Sequence, residues 1–232
     1  VPALLKELST YKNQKFNVTL ASLRPFESRQ NAIGYILQES ENIVCKHELV
    51  DYIREPELQS LKPDSFNHIL LVSSDKLGAD EEADARTIVG YTLLEEMLES
   101  ADNRPQIVME LTDPGNEMLL KDFNSESIIS PLILSNLLAT IAIRRELYSV
   151  YNELFTVDGA EIIFRSLSEY NLKPGQMTFE ELSDQITKYQ DTALGLYYDS
   201  GSENVKLSLN PPKHQKFKLR LEDQIVVLST IN

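Results

Sequence analysis

Short apolar runs at residues 17–22, 43–45, 68–73 and 106–111 recur through the first half of the chain, each separated from the next by a stretch of helical periodicity. Strands spaced in this way cannot pair through tight hairpins. They pair in parallel, through helical crossovers, and the sheet is buried beneath those helices. The run His68-Ile69-Leu70-Leu71-Val72-Ser73 is apolar almost throughout, which predicts a central strand buried on both faces. Helices are predicted from Pro2, over 28–38, over 50–61 and over 80–100. The last opens on Asp80, Glu81, Glu82 and Asp84, anions favoured by the positive end of a helix. Its residues Ala85, Ile88, Val89, Thr92 and Leu93 fall on one predicted apolar face. A short helix over 115–123 and a short strand at 127–130 complete this part.

Residues 132–155 carry two apolar stripes that are out of phase. Leu134, Leu137, Leu138 and Ile141 keep helical spacing, and so do Leu147, Val150, Tyr151 and Leu154, but the phase breaks at Arg144-Arg145. Either one helix turns two faces to two partners, or two helices meet at a bend; both versions connect two packing environments. The first stripe is expected to cover the parent sheet. Further on, short β runs take over at 162–165, 193–198, 205–209 and 224–228, with turns at Lys173-Pro174-Gly175, Gly201 and Pro211-Pro212. One helix, over 178–188, begins with Thr178 and Glu181 at the spacing of a capping box. The expected division is an α/β domain over residues 1–158 and a small α+β lobe over 159–232.

Composition removes several classes of function. The 232 residues carry a net charge of −14, a field that repels phosphate backbones, so nucleic acid is not an expected partner. The single cysteine, Cys45, excludes an internal disulfide and a cysteine zinc site and fits a reducing compartment. No apolar run is long enough to insert into a bilayer. His47, His68 and His214 lack metal-ligand spacing, and no catalytic triad is readable. A catalytic dinucleotide site needs a glycine-rich turn at a helix N-terminus and an acid ending the second strand. Here no Gly-x-Gly-x-x-Gly occurs, and the run at 17–22 continues into Leu23-Arg24.

Candidate ligand groups concentrate where the strands end, because the ligand crevice of an open parallel sheet lies outside the carboxyl ends of its strands. Ser73, Ser74 and Asp75 close one apolar run, Glu110 lies near the end of another, and Asp84 sits beside the stripe of the helix between them. The first three are the expected ligand-binding residues. Asp84 and Glu110 are the expected metal pair, hard oxygen ligands of the kind calcium takes. The acids at 80–82 need no metal, since the helix dipole accounts for them.

Several of these residues, taken together, resemble a known family. Ala83-Asp84-Ala85-Arg86-Thr87 ahead of a leucine-rich helix, Glu110-Leu111-Thr112-Asp113-Pro114 followed by Ile129-Ser130-Pro131, and Glu153-Leu154-Phe155 before Gly159 resemble domains that regulate potassium conductance. These RCK domains occur in ion channels and Trk-type potassium uptake systems, and the Castor and Pollux ion channels are the most similar group. Thr178-Phe179-Glu180-Glu181-Leu182, Asn210-Pro211 and Asp223-Gln224-Ile225-Val226-Val227 are similar to the C-terminal (TrkA-C-like) lobe of such domains. The resemblance implies an α/β fold, a Rossmann-like, mostly parallel sheet with flanking helices, followed by a crossover helical segment and a small α+β lobe. It implies a cytoplasmic regulatory domain of a membrane protein, not an enzyme, that couples ligand binding to gating. Its implied partners are further copies of itself, in a dimer or a ring of dimers paired through the crossover, and the pore domain of the same protein. Asp84 and Glu110 resemble the positions of acidic calcium ligands in calcium-gated relatives, with Thr112 in place of a further acid. In two respects the chain departs from the family: the first strand and its glycine-containing turn are missing ahead of Pro2, and Glu222 replaces a glycine before Asp223. A soluble regulatory subunit of a Trk-type system and a fragment of an NAD(P)-dependent oxidoreductase are the alternatives left open.

Overall fold

The alternating runs form parallel ladders. The computed structural model describes residues 1–73, 80–116, 126–156, 159–199 and 205–230, and the chain divides into two units, Val1–Arg145 and Glu146–Asn232. In chain order the first unit contains α1 (Pro2–Thr10), β1 (Phe16–Ala21), α2 (Phe26–Glu39), β2 (Ile43–Glu48) and α3 (Glu55–Ser60). It continues with β3 (His68–Leu71), α4 (Asp80–Leu98), β4 (Gln106–Leu111), β5 (Glu126–Ile129) and α5 (Ser130–Ile143). β1 pairs with β2, and β3 with β4 and β4 with β5, all in parallel, as a two-stranded and a three-stranded sheet.

The central place belongs to β4, not to the apolar run at 68–73. β4 has a partner on each side and buries Ile107, Met109 and Leu111, whereas β3 is an edge strand that ends at Leu71 and leaves Leu70 50% exposed. The buried face of α4 also differs from the predicted stripe. Ala83, Asp84, Thr87, Gly90, Tyr91, Leu94 and Leu98 face inward, while Ala85, Val89 and Thr92 are exposed. The reason is steric as well as polar. Gly90 lets the ring of Tyr52 lie so close that an added Cβ would meet it at 2.6 Å, and the same ring lies under Arg86, which pairs with Asp51. α3 is shorter than predicted because Pro56 suits only a first helical turn and disfavours helical backbone before it.

The second unit contains α6 (Leu147–Leu154), β6 (Ala160–Ser166), β7 (Gly175–Thr178), α7 (Phe179–Thr187), β8 (Thr192–Asp199), β9 (Val205–Leu209), β10 (Lys216–Leu219) and β11 (Gln224–Thr230). An antiparallel sheet in the order β6-β11-β8-β9 packs one face against α7, and β7 pairs with β10 in a separate ladder. The capping box forms as the sequence predicts: Thr178 Oγ1 accepts from the Glu181 N–H, and Glu181 accepts from the Thr178 N–H. The turn before β11 tolerates Glu222. Asp223 is buried there and accepts from the Arg220 N–H at 2.7 Å, and Glu222 is not among the described positive-φ residues, so no glycine is required.

Of the two arrangements open for residues 132–155, the structure has two helices, with α5 ending at Ile143 and α6 starting at Leu147. The expectation that the first stripe covers the parent sheet fails. α5 buries no residue, and Leu134 and Leu138 are 57% and 60% exposed.

Gly195 on β8 is the tightest backbone approach in the second unit's sheet, since a Cβ there would lie 2.2 Å from the Ser208 carbonyl oxygen on β9. Gly195→Ala is expected to cost about 1–3 kcal/mol and to lower the thermal midpoint measured by circular dichroism. Gly34→Ala, on a helix and facing only the flexible Gln30 side chain, is expected to raise it, by up to about 1 kcal/mol.

Candidate functional site

The carboxyl end of β4 meets the start of α4 around one carboxylate. Asp84, on the second turn of α4, is 0% exposed. Its Oδ1 accepts from the Thr112 N–H and the Thr112 hydroxyl, both at 2.8 Å, and its Oδ2 accepts from the Asp113 N–H at 2.9 Å and Asn116 Nδ2 at 2.8 Å. Burial pushes this carboxyl upward, but the hydrogen bonds from Asn116, Thr112 and Asp113 outweigh it and hold Asp84 below the ordinary carboxylate range. Two of the sequence segments that carry the family resemblance, 83–87 and 110–114, are thereby fastened to each other.

Glu110 closes a second, separate network. Its Oε2 accepts from the Ser73 N–H at 3.2 Å and its Oε1 from the Ser130 hydroxyl at 2.6 Å, so it joins the end of β3 to the first residue of α5. The Ser73 hydroxyl is buried and has no hydrogen-bond partner among the described residues. Ser74 and Asp75 lie outside the described residues.

As a calcium pair, Asp84 and Glu110 do not fit in this arrangement. A carboxylate offers about four lone-pair sites, and those of Asp84 are all taken by donors of the chain, whereas calcium needs several free oxygens. Glu110 retains acceptor capacity. Among the described residues no group of three or more His, Cys, Asp or Glu side chains gathers as a metal site would. Thr112 has a positive role: it supplies two of the donors to Asp84, and an acid in its place would set a second anion against a buried one.

At the ends of β1 and β2 the crevice is closed by the protein itself. Arg29, on α2 and buried, donates through one Nη to the carbonyls of Leu20 and Glu48, both at 2.7 Å. The guanidinium ties these two strand ends together, and the Glu48 carboxylate pairs with Lys46 at 2.7 Å. Arg24 is exposed. Nearby, Cys45 Sγ lies 3.9 Å from His47 Nε2, and burial pushes the thiol above its ordinary value. Arg29, Asn116 and Ser130 are the residues that periodicity did not single out. Asn116 had a readable signal, the Asp-Pro-Gly turn just before it, whose Asp113 side chain accepts from the Gly115 N–H.

Because the folded-state pKa of Asp84 is depressed, its stabilising contribution is complete above the unfolded value of about 4 and is lost as pH falls through the folded value. Asp84→Asn turns an amide N–H₂ toward donors and is expected to cost about 2–3 kcal/mol at neutral pH. Melting midpoints of parent and variant, compared across pH, are expected to converge below about pH 4.

No protein-family model matches the chain. In sequence it is similar to the ion channel CASTOR of Lotus japonicus, 22% identical over 87% of this chain and 26% of that protein. It is also similar to the probable ion channel CASTOR of Oryza sativa subsp. japonica, 21% identical over 84% of this chain and 25% of that protein. The chain thus spans about a quarter of the length of these curated relatives. In structure it matches the human SLO3 gating ring with a TM-score of 0.70 at 13% identity, over 100% of this chain and 42% of that one. Parallel strands under helices, an antiparallel C-terminal lobe and this pair of likenesses lead to one assignment: the chain is an RCK-like domain with a Rossmann-like fold, near the Castor ion channels.

Proposed function

We propose that the chain is a regulatory, non-catalytic domain of an ion channel, which senses a ligand at the carboxyl ends of β3 and β4 and passes that signal through a homo-oligomeric ring to a pore. The observation that carries this reading is α5. A helix with ten apolar side chains among its fourteen buries none of them, and α6 likewise has no buried residue. Burying one such side chain is worth about 1.5–3 kcal/mol, so a surface of this kind calls for a partner. The partner we propose is the same segment of a second copy.

The route from ligand to ring follows from Glu110. Its carboxylate holds Ser130, the first residue of α5, and faces the same strand end as the Ser73 hydroxyl, which has no hydrogen-bond partner among the described residues. A ligand that engages Glu110 competes with Ser130, and so favours one position of α5 over another. Gating would then be a population shift, with ligand affinity differing between the two arrangements. Asp84, with no lone pair to spare, serves as the fixed point against which that change occurs. Among the described residues no helix is long and apolar enough to cross a membrane.

Light scattering on residues 1–232 is expected to give at least a dimer at tens of micromolar, an affinity of roughly −6 kcal/mol or tighter. Leu138→Glu and Val150→Glu change exposed positions, 60% and 50% accessible, and are expected to fold and to lose that mass. A monomeric parent, or folded variants that keep the parent's mass, would overturn the reading.

A further inference from the structure

Away from the candidate site, at the edge where β3 and β4 begin, α3, the turn Pro63–Ser65 and the end of α4 enclose an open groove of about 480 Å³. Leu93 and Met97 on α4, with Ala101 just after it, are half-buried against the core and give the groove an apolar floor. Its rim is acidic. Glu55 opens α3, Asp64 lies in the turn and Glu96 stands on α4, and all three are exposed. Among the described residues these carboxylates are in no ion pair, and Lys62, also on the wall, pairs with none of them. The end of α4 adds to this field. Its last carbonyls form the negative pole of the helix, and its last turn carries no basic residue to offset them.

We infer that this groove docks a basic amphipathic helix of a partner protein, with apolar side chains on Leu93 and Met97 and lysines or arginines along the rim. Charge and shape together select this occupant. The three acids stand on separate elements around the floor, and among the described residues no three His, Cys, Asp or Glu side chains gather as one ion would require. Spaced cations match them better than a single ion does. Nucleic acid and anionic membrane carry the wrong sign. A wholly apolar partner would strip water from the carboxylates and leave them unpaired, which is costly. A helix with one apolar and one basic face satisfies both the floor and the rim. Met97 suits this role, since a flexible thioether adapts to side chains of different shape.

The probe is a fluorescein-labelled peptide with leucine and lysine at helical spacing, and its counterpart has glutamate in place of lysine. In anisotropy titrations with the full chain, the lysine peptide is expected to bind, more weakly as salt is added, and the glutamate peptide not to bind. With isotope-labelled methionine methyls, the Met97 resonance is expected to move while those of buried Met109 and of Met177, in the second unit, hold. Glu96→Lys is expected to weaken binding by about tenfold. Glu39→Lys makes the same charge change at an exposed position on α2 and is expected to leave binding nearly unchanged. No binding of the lysine peptide overturns the inference, and so does a Met97 resonance that stays in place. An equal loss from Glu39→Lys and Glu96→Lys also overturns it, because the peptide would then follow only the overall charge of −14.

Discussion

A charged group with no exposed surface has to be matched donor for donor, and in this protein Asp84 is matched by four. An ionised carboxylate without such partners could not remain buried and charged. With them, it fixes the start of α4 against the loop after β4, and much of the first unit follows from that. The register set by Asp84 turns Tyr91, Leu94 and Leu98 into the core against Ile107, Met109 and Leu111. It also holds the segment 112–116 in place, next to the Glu110 that reaches both β3 and α5. Arg29 solves the same problem with the opposite sign, a buried cation on the carbonyls of two strand ends. Both ions sit at the carboxyl edge of the parallel strands, one fastening a helix and the other closing a gap.

How far the fold was legible depends on what each signal measures. β4 was read to the residue, and the Thr178–Glu181 cap was read to the atom, because both are local: one is an alternation and the other a spacing. The face of α4 was misread because hydrophobic periodicity sees neither a buried Asp84 nor the closeness that Gly90 permits. The central place given to β3 failed for a related reason. An apolar run reports that burial is wanted, not which neighbour supplies it, and among the described residues β3 pairs on one edge only. The β7–β10 ladder escaped because Gln176, Lys216 and Lys218 alternate with few apolar residues, and only Phe217 and Leu219 are buried in β10.

The candidate site was legible as a neighbourhood but not as a chemistry. That Asp84 and Glu110 lie near adjacent strand ends follows from the strand pattern. That their oxygens are committed to separate networks depends on Thr112, Asn116, Ser73 and Ser130, whose polar side chains carry no periodic signal. Thr112 is the sharpest case. By resemblance it stands in for an acid, and in the structure it is a double donor to one.

α5 has a consequence beyond the choice of partner. Helices of this length are marginal in water, and most of their stability comes from tertiary cover, yet this one has no fully buried residue. In the assembly we propose, its order is tied to association, and folding and assembly of this segment become a single equilibrium. Under that proposal abundance in the cell acts as a structural variable: a dilute population leaves this segment frayed, and a crowded one makes it a rigid helix.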